Sequence, residues 1–150
     1  MRKLLYRIMM SLASVALLSG CLSEQKEMEA NVAPVVGVWH YSGQEQGFDV
    51  DVYLCFDADC TFEMYQFAGE GAYKLFYGTF SVDNFKNISG VYESGRKWAR
   101  TYKVKSSSNK LKLSCDAGSW EYSKVKSVPQ EVKNQSVVTR TVVEEVVPFL

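Results

Sequence analysis

Residue types that support catalysis or metal binding are sparse in this chain. His40 is the only histidine, and no Cys-x-x-Cys pair or suitably spaced glutamate accompanies it as a ligand set. Carboxylate pairs can bind Ca²⁺, but Asp49 and Asp51 are typical of a solvated strand face. Asp57 and Asp59 are typical of a turn. Because no nucleophile has a recognisable base and no phosphate-binding glycine loop is present, the sequence predicts no catalytic residue, metal site or cofactor.

Aromatic side chains point to a different chemistry, that of binding. Tyr, Phe and Trp make up 13% of the chain, and aromatic walls with one placed charge suit a pocket for an amphipathic molecule. The candidate lining residues are Trp39, Phe80, Tyr92, Trp98, Arg100 and Tyr102. The alternative is that these large side chains fill the interior, with Arg100 stacked on a ring. The sequence leaves both open.

Four cysteines raise the question of disulfides. Cys55 and Cys60 flank residues 57–59, a predicted hairpin turn, and would form a bridge if their Cβ atoms approach to ~3.8 Å. If they do not face each other, each of them is a free thiol or pairs elsewhere. Cys115 continues the apolar face of an alternating segment, so we expect it to be a small buried side chain.

Residues 1–20 have the pattern of a secretion signal. Arg2, Lys3 and Arg7 form a basic head, and an apolar run from Ile8 to Leu18 follows. This run is shorter than the roughly 20 apolar residues that a membrane-spanning helix needs. The pattern therefore predicts a signal peptide that is removed.

The end of this segment, Leu18-Ser19-Gly20-Cys21, resembles the lipobox of bacterial lipoproteins. That resemblance implies cleavage before Cys21 and lipidation of its thiol. Acyl chains would then attach the protein to a membrane, and more than one chain anchors firmly. Leu22 follows where an aspartate would indicate inner-membrane retention. We therefore expect the outer membrane, with the protein on its periplasmic or its cell-surface face.

Charge gives no indication of nucleic-acid binding. The chain has 17 basic and 17 acidic residues. Segment 1–20 contains basic residues but no acidic ones, so its removal takes away positive charge only. The remainder is slightly acidic and lacks the positive surface that nucleic acid or anionic lipid selects. Residues 21–34 are polar and acidic, and we expect them to be a tether between the lipid and the folded part.

Period-two alternation of apolar and polar residues begins near Val35 and predicts strands. It is clearest from Phe48 to Phe56. Turn residues separate about eight such segments at intervals of roughly 8–12 residues, including one from Lys97 to Lys105. No connection is long enough for a crossover helix, so we expect an antiparallel meander. Closing the meander into a barrel removes its exposed edges, and a two-sheet sandwich is the alternative.

The predicted organisation is a barrel over residues 35–126, followed by a C-terminal helix and tail over residues 127–150 that pack on it. Ser127 is predicted to cap the short helix, with Pro129 near its start. The valine-rich tail from Val137 onward is too apolar for a disordered segment. We expect it to pack on the barrel or to join it as a strand.

Gly37-Val38-Trp39, at the start of the first strand, resembles the Gly-x-Trp signature of lipocalins and calycins. The wider match is carried by segments that follow in order: Phe56–Phe62, Gly78–Phe80, Ile88–Tyr92, Trp98–Val104 and Val128–Val132. Together they look like the lipocalin-like lipoproteins of Bacteroidetes, over residues 35 to about 132. The resemblance implies a small eight-stranded all-β barrel behind a lipid anchor and little about activity. Cys60 stands where that family's turn usually has glycine, which favours pairing with Cys55.

Two functions are expected, neither of them enzymatic. The first is a lipid-anchored envelope lipoprotein that binds a small apolar or amphipathic ligand in the mouth of the barrel. The second is an interaction module, in which the barrel is a scaffold. Exposed aromatic residues such as Tyr53 and Tyr65 would then dock another protein of the envelope.

Overall fold

The computed structural model describes residues 23–138 and 148–150, and its main feature is a closed barrel of antiparallel strands. The strands are β1 (Gly37–Glu45), β2 (Phe48–Phe56), β3 (Thr61–Ala68), β4 (Lys74–Val82), β5 (Asn87–Tyr92), β6 (Tyr102–Ser106), β7 (Lys110–Cys115) and β8 (Gly118–Val125). Each strand pairs with the next, and β8 pairs with β1. The predicted eight-stranded meander barrel is therefore confirmed, and the two-sheet sandwich is wrong.

A tight turn sets the register at the start of the barrel. Gln46 and Gly47 join β1 to β2 with φ angles of 52° and 84°. Positive φ at both central residues is the requirement of a type I′ hairpin. The register places His40 opposite Tyr53. Alternation along β2 then buries one set of side chains in the interior, namely Val50, Val52, Leu54 and Phe56.

The predicted strand from Lys97 to Lys105 is wrong in its extent. β6 begins only at Tyr102, and within residues 97–101 the pairing is a single bridge between Lys97 and Val91. Trp98 leaves the strand path because its indole packs in the space beside Gly90. Its backbone N–H donates to the Gly90 carbonyl at 2.9 Å. Consequently β5 and β6 share only a short paired segment.

Residues that precede β1 close one end of the barrel. Residues 23–32 form helix α1, and Ala33–Val35 continue it as a 3₁₀ turn. Residues 23–30 are exposed, whereas Val32 and Val35 are buried in the interior cluster. The Trp39 indole donates a hydrogen bond to the Val35 carbonyl at 2.8 Å. The predicted tether is thus helical where it is described, while segment 1–20 and Cys21 lie outside the described residues.

The predicted C-terminal helix is present as α2 (Gln130–Gln135), and β9 (Val137–Val138) follows it. Pro129 occupies the cap position, not Ser127. Val132 packs with Tyr65 on the outer face of the barrel, and β9 pairs parallel with the start of β4. The tail residues 139–147 lie outside the described residues. In the part of the chain that is described, no helix is both long and apolar enough to cross a bilayer.

Candidate functional site

The end of the barrel away from α1 is the candidate site, and we call it the barrel mouth. Its inner wall consists of Tyr41 and Glu45 of β1, Gln66 of β3, Tyr92 of β5, Tyr102 of β6, and Trp120 and Tyr122 of β8. The last three residues of the sequence, Pro148–Leu150, lie in it. Leu150 is only 2% exposed and belongs to the interior cluster. The mouth is therefore occupied by the chain itself.

Three hydrogen bonds to described residues of the barrel hold this segment. The Tyr92 hydroxyl donates to the Leu150 carbonyl oxygen at 2.6 Å. The Tyr102 hydroxyl donates to the Phe149 carbonyl oxygen at 3.4 Å. In the opposite sense, the Phe149 backbone N–H donates to Gln66 Oε1 at 2.7 Å. The mouth thus offers two phenolic donors and one amide acceptor to the polar groups of its occupant.

The ring of Phe149 contacts two aromatic side chains of the mouth. Its centroid lies 5.7 Å from that of Tyr41, with the planes stacked at 29°. It lies 5.5 Å from that of Trp120, edge to face at 79°. Such pairs contribute about 0.5–1.5 kcal/mol each beyond the burial of their area. The mouth therefore has a defined position for one aromatic ring.

Glu45 supplies the negative charge of the mouth. Its Oε1 accepts a hydrogen bond from the Tyr41 hydroxyl at 2.8 Å and another from Trp120 Nε1 at 2.9 Å. Burial, and secondarily the bond to this carboxylate, raises the pKa of the Tyr41 phenol. Glu45 has no ion-pair partner among residues 23–138 and 148–150. It is a half-buried carboxylate fixed by two neutral donors.

The Tyr122 hydroxyl is fully buried, and no described residue forms a hydrogen bond with it. Burial is also the main reason why its pKa is raised well above the usual value. A buried polar group without a partner costs about 1–3 kcal/mol.

We expect Tyr122→Phe to raise the free energy of unfolding by about 1 kcal/mol, because it removes this hydroxyl and keeps the ring. Urea unfolding followed by circular dichroism measures the change. Tyr41→Phe is the matched control. It removes a hydroxyl that is bonded to Glu45 and should lower the free energy of unfolding. A Tyr122→Phe protein that unfolds at a lower urea concentration than the wild type would contradict the prediction.

Of the six predicted lining residues, Tyr92 and Tyr102 lie at the mouth. Arg100 does not, because its guanidinium is exposed and forms an ion pair with Asp116 at 2.7 Å. The placement of Arg100 as the charge of the pocket is therefore wrong. Glu45 takes that place with the opposite sign.

Trp39, Phe80 and Trp98 lie deeper, buried in the interior cluster. The rings around Trp98 leave it 6% exposed. Here the packed-interior alternative describes the structure.

A second cluster lies on the outer face of β1 and β2. His40 Nε2 is 2.6 Å from Asp51 Oδ1, and the imidazole stacks on Tyr53 with centroids 4.4 Å apart. The other oxygen of Asp51 accepts from the Tyr73 hydroxyl at 2.5 Å. The β1–β2 register brings Asp51 to His40, a hydrogen-bond partner that the sequence pattern did not indicate. A groove of about 530 Å³ borders Asp51 and Tyr73. Within the described residues, no three His, Cys, Asp or Glu side chains form a metal-binding group.

The bridge considered between Cys55 and Cys60 is not formed, and both are free thiols, as is Cys115. The β2–β3 register places Cys55 opposite Glu63. Cys55 packs with the outer cluster under α2, whereas Cys60 packs against the interior cluster. The two thiols therefore face opposite sides of the sheet.

Comparisons of the chain with protein-family models, curated proteins and solved structures found no match.

Proposed function

We propose that this chain is a lipid-anchored envelope lipoprotein of the outer membrane, and that its barrel mouth binds a small apolar or amphipathic ligand without catalysis. The anchor is argued from the signal pattern of residues 1–20 and from Cys21, the proposed lipidation site. Acyl chains at Cys21 would hold the barrel at a membrane surface.

The occupation of the mouth by Pro148–Leu150 carries the binding proposal. The segment presents an aromatic ring, an aliphatic side chain and two carbonyl oxygens, and the mouth contacts all of these groups. An amphipathic ligand presents the same chemistry, apolar groups beside hydrogen-bond acceptors. A ligand would therefore bind by displacing Phe149 and Leu150, and its affinity would be reduced by the cost of that displacement.

Phe149→Ala is expected to strengthen binding of N-phenyl-1-naphthylamine, a neutral fluorescent apolar probe, by roughly tenfold. Removing the ring removes two aromatic contacts of about 0.5–1.5 kcal/mol each that compete with the probe. All described contacts lie within residues 23–150. The measurement therefore uses the chain from residue 21 with Cys21→Ser, titrated with the probe and followed by its fluorescence.

The matched control is Phe85→Ala, which removes the same ring from the exposed β4–β5 turn. Phe85 is 75% exposed, so this variant should bind the probe as the wild type does. Urea unfolding of each variant checks that the barrel is intact. If a folded Phe149→Ala protein binds the probe no better than the Phe85→Ala protein, the mouth is not the binding site.

An envelope interaction module is the second candidate, but not through the residues first expected. Tyr65 is buried under α2, and Tyr53 is stacked on His40. The observation that favours docking is Phe48, which is 62% exposed in the β1–β2 hairpin. A photo-crosslinking residue in place of Phe48, used in intact cells, tests this candidate. Adducts with lipid or with the chain itself alone would count against it.

A further inference from the structure

We infer that the ligand of the barrel mouth carries a cationic nitrogen, and that Glu45 together with the rings of Tyr41 and Trp120 receives it. This inference rests on the proposed function and adds the chemical class of the ligand. It is drawn from the charge of Glu45, the geometry around Phe149 and the unsatisfied hydroxyl of Tyr122.

The mouth contains a carboxylate that is only partly compensated. Glu45 is half-buried, and no cation pairs with it among the described residues. Removing a carboxylate from water is costly unless it is paired. Two neutral donors share Oε1, and no donor of the described residues bonds to Oε2, which can accept from a ligand. A charged donor is the partner that compensates this site best.

The ring of Phe149 occupies the position that we assign to the ligand nitrogen. Its ring centroid lies 5.7 Å from the Tyr41 centroid, with the two planes stacked, and 5.5 Å from the Trp120 centroid. A cation interacts with an aromatic face within about 6 Å of the centroid. A ligand nitrogen that takes the place of the Phe149 ring would therefore be within range of both rings.

The two side chains that contact the Phe149 ring also bind Glu45. Tyr41 and Trp120 each donate a hydrogen bond to its carboxylate, and such bonds polarise the donor groups. The rings become richer in electrons, which strengthens their attraction for a cation. The carboxylate of Glu45 and the rings of Tyr41 and Trp120 thus favour a cationic group at the same position in the mouth.

The other polar groups of the mouth lie on two sides. Tyr122 packs on Tyr41 with centroids 5.7 Å apart, and its buried hydroxyl has no partner among the described residues. On the other side of the mouth, Tyr92 and Tyr102 donate to carbonyl oxygens. The cationic end of the ligand therefore belongs on the Glu45 side, and its acceptors belong with Tyr92 and Tyr102.

The test uses three amphiphiles that share a twelve-carbon chain and differ in the head group: dodecyltrimethylammonium, dodecyl maltoside and laurate. Each competes with N-phenyl-1-naphthylamine for the unlipidated Phe149→Ala protein, below its micelle-forming concentration. We expect the ammonium compound to bind about tenfold more tightly than the maltoside, and laurate to bind most weakly. Glu45→Gln keeps the hydrogen-bond acceptor and removes the charge. It should abolish the preference for the ammonium compound over the maltoside.

Glu121→Gln is the matched control, because Glu121 is an exposed carboxylate on the outer face of β8. It removes one negative charge without touching the mouth and should keep the preference, which excludes general attraction of cations to an acidic protein. Equal binding of the three amphiphiles, or tightest binding of laurate, overturns the inference but leaves the proposed function standing. Failure of the probe and of every amphiphile to bind overturns both.

Discussion

Gly90→Ala is expected to lower the free energy of unfolding by about 3 kcal/mol, at the upper end of what overpacking a core costs. A Cβ atom at Gly90 would lie 2.3 Å from Cε2 and 2.5 Å from Nε1 of Trp98. The indole cannot yield easily, because the rings of Phe56 and Phe62 pack against it. Its backbone is tied to the Gly90 carbonyl. The added methyl group must therefore displace either the indole or β5.

Urea unfolding of the variant, followed by circular dichroism, measures this effect. Ser89→Ala is the matched control, since Ser89 is the neighbouring residue of β5 on the outer face of the barrel. It should change the midpoint little. A Gly90→Ala protein with the wild-type midpoint would mean that the Trp98 indole does not pack on Gly90.

The barrel itself was predictable from local information. Alternation along segments such as Phe48 to Phe56, and turn residues between them, specify strands that can only pair with their neighbours. The prediction of a strand from Lys97 to Lys105 was wrong in its extent because a long-range contact, that of Trp98 with Gly90, overrides the local pattern. Periodicity shows which residues alternate, but not which ones leave the sheet to fill a space elsewhere.

The mouth was predictable only in part. Tyr92 and Tyr102 could be selected because they are aromatic residues of predicted strands. Glu45 and Gln66 look like ordinary polar strand residues in the sequence. The contact of Gln66 with Phe149 spans 83 residues, and no local pattern indicates it. The contact between His40 and Asp51 could have been predicted from the sequence, because a two-residue turn at Gln46-Gly47 fixes the β1–β2 register.

Cys55 is expected to react with iodoacetamide at pH 8 roughly a thousandfold more slowly in the folded protein than in the unfolded chain. Burial, followed by the charges of Glu63 and Asp57, raises the pKa of this thiol from 9.0 to about 12. Only the thiolate attacks the reagent, and each pKa unit lowers its fraction about tenfold. Alkylation with and without urea, followed by peptide mass mapping, measures the rate at each cysteine separately.

The cause of this protection is the cover formed by α2, so loosening α2 should remove it. Val132 packs in the same outer cluster as Cys55, and Val132→Ala should speed alkylation of Cys55. Val137→Ala, at an exposed position of β9, should not. The raised pKa also fixes the sign of a pH effect. The protonated thiol stabilises the fold fully below about pH 9, and this contribution is lost as the pH rises toward 12. Rapid alkylation of Cys55 in the folded protein, or a Cys55–Cys60 disulfide in the peptide map, would show that α2 does not cover the thiol as described.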